Sequence, residues 1–490
     1  MSGAGLPPAL GGSLETGPEP SVPPRGLARV AARFTGLAER YVPDAFVFAL
    51  VATFVVLPVA MVGRGKSPLE VVQLWGGGFW ELIPFTLQMA LVIITGYVLA
   101  TSRPVYRLIA ALAAVPKTPR LAVAFVALFA MASSWLNWGF SLIFSAILAR
   151  EVARRLVGVD YRAVAAAAFL GLGSVWAQGL SGSAALQMAT SSALPPAIRA
   201  IIDGGGKVPG GVIPFSDTIF LWQSLLCVAV EVVLVTAVMY LAAPSQERSR
   251  SAASLGIALP PSELDRPDPE RRGTPGEWLE HQPLLNLLFC ALSGTYLVAH
   301  FAGSGEGLNA INLNILNLSF LTAGVLLHWT PARLMRSFRE ATPGVWGVLL
   351  QFPFYGGIAA VIAKTHLNES IASLFVSASS PRSFPALVAA YSMVLGVFVP
   401  SGGSKWVIEA PYVMKAAHDL GVHLGWMVAV YDLGEALANL VQPFWMLPIL
   451  GLFGLKARDV MGYTFLVFLV LVPVVLLLVT VLAGTLHYPL

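Results

Sequence analysis

Apolar runs close to twenty residues long recur along the chain, separated by short stretches that hold most of its Arg, Gly and Pro. Twenty residues of α-helix rise about 30 Å, the thickness of a bilayer's hydrocarbon core. The pattern predicts spans at 43–62, 82–100, 217–243, 283–302, 311–329, 343–362 and 460–482. Two further apolar stretches are interrupted by polar residues. One begins near Tyr161 and is broken at Gln178-Gly179-Leu180-Ser181-Gly182-Ser183 before running on toward Pro195. Gly and Ser lower helix stability, so an unwound segment at membrane depth is expected there. The other carries Asp432, Glu435, Asn439 and Gln442 and ends at Lys456 and Arg458.

Two segments remain. Between Arg120 and Arg150 lie 29 residues without Lys or Arg, too many for one span and too few for two with a turn. Arg103, Arg107 and Lys117 precede this stretch, and Arg154, Arg155 and Arg162 follow it. Basic residues mark the cytoplasmic face, so the segment is expected to enter, turn at Ser133-Ser134-Trp135-Leu136-Asn137-Trp138-Gly139 and leave by the same side. The second, 384–415, turns at Pro400-Ser401-Gly402-Gly403-Ser404-Lys405-Trp406. Its flanks carry only Lys364, Arg382 and Lys415, so it should enter from the opposite face. Gln88 and Gln351 open the helices that precede the two hairpins. The expected fold is an all-α polytopic membrane protein: an inverted repeat with two re-entrant helical hairpins and two broken transmembrane helices. Such proteins bind their ligands near the midplane where the repeats meet.

The expected organisation follows. Residues 1–24, rich in Gly and Pro, form a disordered tail without a cleavable signal peptide. Over 25–42 an amphipathic helix lies on the cytoplasmic surface, with Leu27, Val30, Phe34 and Leu37 on one face and Arg29, Arg33 and Arg40 on another. Residues 43–243 make a first repeat with its hairpin at 121–149. The polar stretch 244–280 is a cytoplasmic linker, and 281–490 make a second repeat with its hairpin at 384–415. The N-terminus is placed in the cytoplasm and the C-terminus outside.

Composition sharpens this picture. The chain is 56% apolar and 11% charged, against about 25% charged for a soluble globular protein. The formal net charge of +4 comes from Arg clusters beside apolar segments, so nucleic acid is not an expected partner. Cys227 and Cys290 lie inside apolar stretches and read as core packing, not as a disulfide or a zinc site. No P-loop, paired metal ligands or Ser elbow occurs in an interpretable context, and the seven His residues are scattered. No cofactor and no catalysis are expected.

The candidate chemistry lies at the bends. A hairpin tip offers N–H groups at a helix start, which favour a carboxylate, and C=O groups at a helix end, which favour a small cation. Ser133, Ser134, Asn137 and Gly139 supply one tip; Ser401, Gly402, Gly403 and Ser404 supply the other; Ser181, Gly182 and Ser183 lie at the first break. The competing reading is close helix packing through small residues. Asp432 and Glu435, with Asn439 at i+4 from Glu435, read as a proton or sodium site, or else as hydrated groups near the interface. Glu231 is a weaker candidate of the same kind. Lys405 either attracts a carboxylate ligand or pairs with Glu409. Gln88 and Gln351 either bond at the site or bridge helices. Trp135, Trp138 and Trp406 either wall an apolar pocket or pack at the tips.

Several motifs carry a resemblance. They are Gln73-Leu74-Trp75-Gly76-Gly77-Gly78-Phe79-Trp80, Leu87-Gln88-Met89-Ala90-Leu91 with Thr95-Gly96, Asn137-Trp138-Gly139-Phe140, and Ala149-Arg150-Glu151-Val152-Ala153-Arg154-Arg155. Gln351-Phe352-Pro353-Phe354-Tyr355-Gly356-Gly357-Ile358, Val399-Pro400-Ser401-Gly402-Gly403 with Trp406-Val407-Ile408, and Gln442-Pro443-Phe444-Trp445 continue the series. In collinear order over 27–485, the chain resembles the bacterial short-chain fatty acid transporters of the wider ion-transporter superfamily. That resemblance implies uptake of acids such as acetoacetate or butyrate across the inner membrane. It also implies that Ser134 and Asn137 at one tip, and Ser401 and Ser404 at the other, bind the substrate carboxylate and a sodium ion; the second tip has no Asn. Where family members are Gly-rich near the first break, this chain has Ser174-Val175-Trp176-Ala177-Gln178.

The expectation is therefore a symporter of short monocarboxylates, coupled to sodium or protons, with the lipid bilayer as its other partner and homodimerisation left open. A dicarboxylate or other organic-anion antiporter is the alternative of the same superfamily. From other classes, an intramembrane enzyme would alter its substrate, and a channel would give flux without saturation.

Overall fold

A computed structural model describes residues 26–41, 45–189, 208, 211–269, 273–304, 313–367, 377, 379–400 and 402–490. The expected tail 1–24, the end of the first broken span at 190–195, most of the loop 203–211, and Ser401 lie outside the described residues.

The described residues form helices joined by short turns. The amphipathic α1 (Leu27–Tyr41) lies along the last span, α20 (Ala457–Ala483), where Phe34 meets Phe465 edge-on at 5.1 Å between ring centroids. The spans expected in the first half are α2 (Ala45–Arg64), α4 (Ile83–Thr101) and α10 (Trp222–Ala242). In the second half they are α12 (Leu284–Ser304), α13 (Leu313–His328), α15 (Trp346–Lys364) and α20. Among the described residues, six helices are long and apolar enough to cross a bilayer, seven if the bent pair starting at Thr86 counts as one. α12 is mostly exposed, as a helix facing lipid is.

Three helices of 11 residues were not expected, α3 (Pro68–Gly78), α5 (Arg103–Ala113) and α14 (Pro331–Ala341), besides a single short turn of helix in the linker. Each is only 11 residues long, too short to stand out beside twenty-residue apolar runs. α3 starts at Ser67, whose hydroxyl accepts from Glu70 N, with Pro68 in its first turn. α5 leaves α4 through an 80° bend, and α14 carries Arg333, Arg336 and Arg339.

The expected first hairpin is α6 (Pro119–Leu136) and α7 (Trp138–Arg155), which pack on each other. Asn137 ends the first and caps the second: its Oδ1 accepts from Phe140 N at 2.9 Å. Each arm has 18 residues, about 27 Å of helix, which is longer than the uncharged stretch alone allowed because α7 continues through Arg150, Glu151 and the arginines after it. The first broken span is α8 (Tyr161–Leu170), a π-turn over Gly171–Val175, a 3₁₀ turn over Trp176–Gln178, and α9 (Ser183–Ala189). The helix therefore departs from α geometry at Gly171, not first at Gln178. The second pair is α16 (Phe384–Phe398) and α17 (Gly402–Leu420). Unlike the first pair, its arms splay, and α16 packs chiefly on α18 (Leu424–Ala438). A 3₁₀ turn over Phe444–Met446 and α19 (Leu447–Phe453) complete the second broken span.

α8 and α18 are buried along their whole length and form the centre of the bundle. At its basic end the linker, with the short α11 (Pro275–Glu280) near its close, ties helices of both halves. Asp268 pairs with Arg103 of α5 at 3.2 Å and with Arg333 of α14 at 2.6 Å. Arg266 pairs with Glu263 at 2.9 Å and with Glu340 of α14. Arg154 of α7 donates to Pro260 O at 2.6 Å, and Arg336 to Pro267 O at 2.8 Å.

The hydrogen bond from Arg333 holds the Asp268 carboxyl below the usual aspartate range. Its pairing is complete above that range and is lost as pH falls through the lowered value. Asp268 is half exposed, so the effect belongs to local docking and not to global stability. Asp268→Asn is expected to raise limited proteolysis of the linker several-fold at neutral pH, and acidification should do the same in the parent chain. Cleavage that responds to neither would show that the linker is held without Asp268.

Candidate functional site

The first break is built by backbone meeting backbone. A side chain at Gly171 would lie 2.1 Å from Ala130 O, and one at Gly179 would lie 2.0 Å from Trp135 O, so only Gly lets the unwound segment lie against α6. Leu180 N then donates to Trp135 O at 2.8 Å, and Ser181 Oγ accepts from Trp138 N at 3.1 Å. The tip and the break thus satisfy each other's loose backbone groups.

The second break locks onto the first. Asn439 Nδ2 donates to Leu172 O at 3.0 Å, Gln442 Nε2 donates to Asn439 Oδ1 at 2.8 Å, and Gln442 Oε1 accepts from Phe444 N at 2.7 Å. Gln187 Nε2 of α9 donates to Gly403 O at 3.1 Å, and Tyr431 OH donates to Gly402 O at 2.8 Å, which brings the second tip to the same junction.

Four ionisable side chains gather here. Lys405, Glu409, Asp432 and Glu435 are each no more than 1% exposed. Lys405 Nζ donates to Ser392 O at 2.7 Å and to Ser392 Oγ at 3.2 Å, sits 5.0 Å from the centroid of the Tyr431 ring, and forms an ion pair with Glu435. Among the described residues, both carboxylate oxygens of Glu409 and of Asp432 lack a hydrogen-bond partner. Asp432 faces the backbone N–H groups of Ala184 and Ala185 without bonding geometry to either. Of the expected pairings, the one with the helical neighbour Glu409 does not form: the carboxylate on the Lys405 ammonium is Glu435 from another helix. Asp432 and Glu435 lie in the protein core, not at a hydrated interface.

Beside this quartet stands a cluster of indoles. Trp138 lies 5.4 Å from Trp445 and 6.5 Å from Trp176 between ring centroids, and Trp176 also approaches the second tip at Gly402. Trp138 was legible as a tip aromatic. Trp176 and Trp445 carried no sequence signal of nearness, since they lie 269 residues apart. Trp135 packs instead on Phe220, and Trp406 on Tyr431.

The other candidates divide. Ser181, Gly182, Ser183, Gly402, Gly403, Asp432, Glu435 and Asn439 meet at the junction. Ser183 lies against Gly403, while the side chain of Ser404 lies outside the described residues. Ser133 is occupied, its hydroxyl donating to Phe129 O at 2.6 Å. Asn137 has its oxygen engaged in the cap, whereas the buried Ser134 Oγ has no partner among the described residues and faces Gly171. Gly139 lies apart, packed toward Val92 of α4 and Leu316 of α13. Gln88 bridges helices, donating to Asn314 Oδ1 at 2.9 Å, but the amide of the buried Gln351 has no hydrogen-bond partner among the described residues. Glu231 acquires a partner the sequence did not suggest: Gln178 Nε2 donates to it at 3.0 Å. Cys227 and Cys290 are free thiols.

Fold and site together define a multi-pass helical membrane protein whose polar centre is built on interrupted spans. The chain belongs to the short-chain fatty acid transporter family: the profile described as "Short chain fatty acid transporter" matches residues 26–483. Two relatives bear the name "Putative short-chain fatty acid transporter". The one from Escherichia coli (strain K12) is 36% identical over 440 residues, covering 89% of this chain and 96% of the relative. The one from Haemophilus influenzae (strain ATCC 51907 / DSM 11121 / KW20 / Rd) is 34% identical over 437 residues, with the same coverages. The chain is accordingly a transporter of that family and not an enzyme. Among solved structures it is similar to the YdaH transporter of Alcanivorax borkumensis, with a TM-score of 0.42 and 15% identity over 90% of this chain and 98% of that one. It is also similar to MtrF of Neisseria gonorrhoeae, with a TM-score of 0.40 and 14% identity over 93% and 98%.

Gly179→Val is expected to separate the first break from its tip, abolishing uptake and lowering the melting temperature of the purified chain. Gly294→Ala, with open space around it, is expected to change neither. Normal uptake and stability in Gly179→Val would mean that the contact with Trp135 is dispensable.

Proposed function

We propose that the chain is a secondary active symporter that carries short monocarboxylates such as butyrate or acetoacetate across a bacterial inner membrane together with a cation. The observation that carries this reading is the buried quartet at the junction of the two breaks: one ammonium among three carboxyls. A buried charge without compensation costs several kcal/mol. Lys405 offsets one carboxylate, and the remaining two call for positive charge from outside, a proton or a sodium ion.

A monocarboxylate entering the junction competes with Glu435 for Lys405. Displaced, Glu435 becomes another uncompensated carboxylate, so the substrate binds well only when a cation has arrived to neutralise it. Each ligand thereby raises the affinity for the other, which is the linkage that coupled transport requires. Trp138, Trp176 and Trp445 offer an apolar wall for a short acyl chain. A second carboxylate on the substrate would need a second cation, and the quartet has one.

In this reading α6–α7 and α16–α17 are re-entrant hairpins of an inverted repeat, dipping from opposite faces. The Arg-rich ends of α1, α5, α7 and α14 are cytoplasmic. The junction crosses the membrane as one body in an elevator-like motion.

Proteoliposomes loaded with the purified chain are expected to accumulate labelled butyrate under an imposed inward proton or sodium gradient. Uptake indifferent to both gradients would rule out symport. Glu435→Gln is expected to keep butyrate exchange while losing gradient-driven accumulation, because it removes the titratable competitor without removing Lys405. Lys405→Gln is expected to weaken both by about tenfold or more, the loss of one charge-assisted contact.

A further inference from the structure

The helix Ala149-Arg150-Glu151-Val152-Ala153-Arg154-Arg155 is a motif that the transport junction does not use. Arg150 lies on α7 at the basic end and is 8% exposed. Among the described residues it forms no hydrogen bond and no ion pair. Its side chain lines a small recess, with enclosed space for about one water-sized group and a mouth open to the surface, between α4, α5, α7 and the linker. Tyr97, Tyr106, Arg154, Pro260 and Glu263 share the lining.

The neighbouring acids are already taken. Glu151 accepts from Tyr106 OH at 2.5 Å and from Arg155 Nε at 2.6 Å, and it also pairs with Arg154. Glu263 is paired with Arg266 at 2.9 Å. Arg154 is spent on Glu151, Tyr106 and Pro260 O. Among the described residues, Arg150 is therefore the one guanidinium of the recess without a counter-charge in contact. Tyr97, 4% exposed, adds a hydroxyl that makes no hydrogen bond among the described residues. A buried guanidinium is stable when it meets an anion in good geometry.

We propose that this recess binds one small monovalent anion, a carboxylate or a halide, through the Arg150 guanidinium and the Tyr97 hydroxyl. It is a second site, separate from the junction at Lys405 and independent of the transport reading. On the orientation proposed above it opens to the cytoplasm. Its anion comes either from the acids that the family carries or from the inorganic pool.

Thermal unfolding of the purified full chain in detergent tests it, with sodium acetate, sodium chloride and the bulky sodium gluconate compared at equal ionic strength. Acetate or chloride is expected to raise the melting temperature above gluconate in the parent chain and also in Lys405→Gln, where binding of a monocarboxylate at the junction is weakened and the recess is untouched. Arg150→Gln is expected to weaken the apparent affinity about tenfold or more, and Tyr97→Phe to weaken it by a smaller factor. A response to acetate alone supports the site and assigns it to organic acids; an equal response to chloride supports the site and assigns it to inorganic anions. No shift above gluconate in the parent chain, or a shift retained in full by Arg150→Gln, would overturn the proposal. Should Arg150→Gln fail to fold, unchanged affinity in Tyr97→Phe would overturn it in its place.

Discussion

A helix interrupted inside a bilayer leaves backbone N–H and C=O groups that no water can reach, and each must find a partner in the protein. That constraint shapes the centre of this bundle. The N–H of Leu180 turns to Trp135, and the N–H of Trp138 turns to Ser181. Asn439 reaches across to the carbonyl of Leu172, Tyr431 and Gln187 close on the carbonyls of the second tip, and Gln442 supports both Asn439 and Phe444. Neither broken span is self-sufficient. Each supplies groups that the other's interruption needs, which explains why small residues and amides concentrate at positions far apart in sequence.

The same scarcity of water gives the buried charges their weight. In bulk water, pairing Lys405 with Glu435 would be worth little. At about 1% exposure the attraction is stronger but so is the cost of desolvating both charges, and breaking the pair by removing one partner costs several kcal/mol. Glu409 and Asp432 then sit where an uncompensated negative charge is expensive. The basic end of the molecule behaves differently. There Asp268, Arg103 and Arg333 are partly solvated, so their pairs position a strap without dominating the energetics.

Much of this organisation was legible in the chain. Long apolar runs mark spans because the hydrocarbon thickness fixes their length, and Asn137 between two apolar arms marks a turn because its oxygen can cap a helix. Asp432, Glu435 and Asn439 stand out in the sequence because carboxylates and amides are costly at depth. What was hidden is of another kind. Glu435 is 30 residues from Lys405, and Leu172 is 267 residues from Asn439, so nothing local encodes either pairing. The helix at Gly171 gives way seven residues before the polar run at Gln178, because Gly171 touches the backbone of α6, a contact that only the fold creates. The short amphipathic helices α5 and α14 escaped because a segment lying along the bundle needs one apolar face and not twenty apolar residues.

Interlocked breaks also constrain how the centre can move. A hydrogen bond such as Asn439 to Leu172 stabilises by about 1 kcal/mol net, but leaving its buried members unpartnered costs up to about 3 kcal/mol each. Separating the two broken spans would expose several such groups at once, so the tips and breaks hold together more firmly than they hold to the helices around them. Motion is then cheapest at surfaces lined by apolar side chains, where sliding exchanges one contact for a similar one. At the basic end of the bundle the linker ties α5, α7 and α14 to one another through charged and backbone groups instead, so the chain is held there by solvated contacts and at its centre by buried ones.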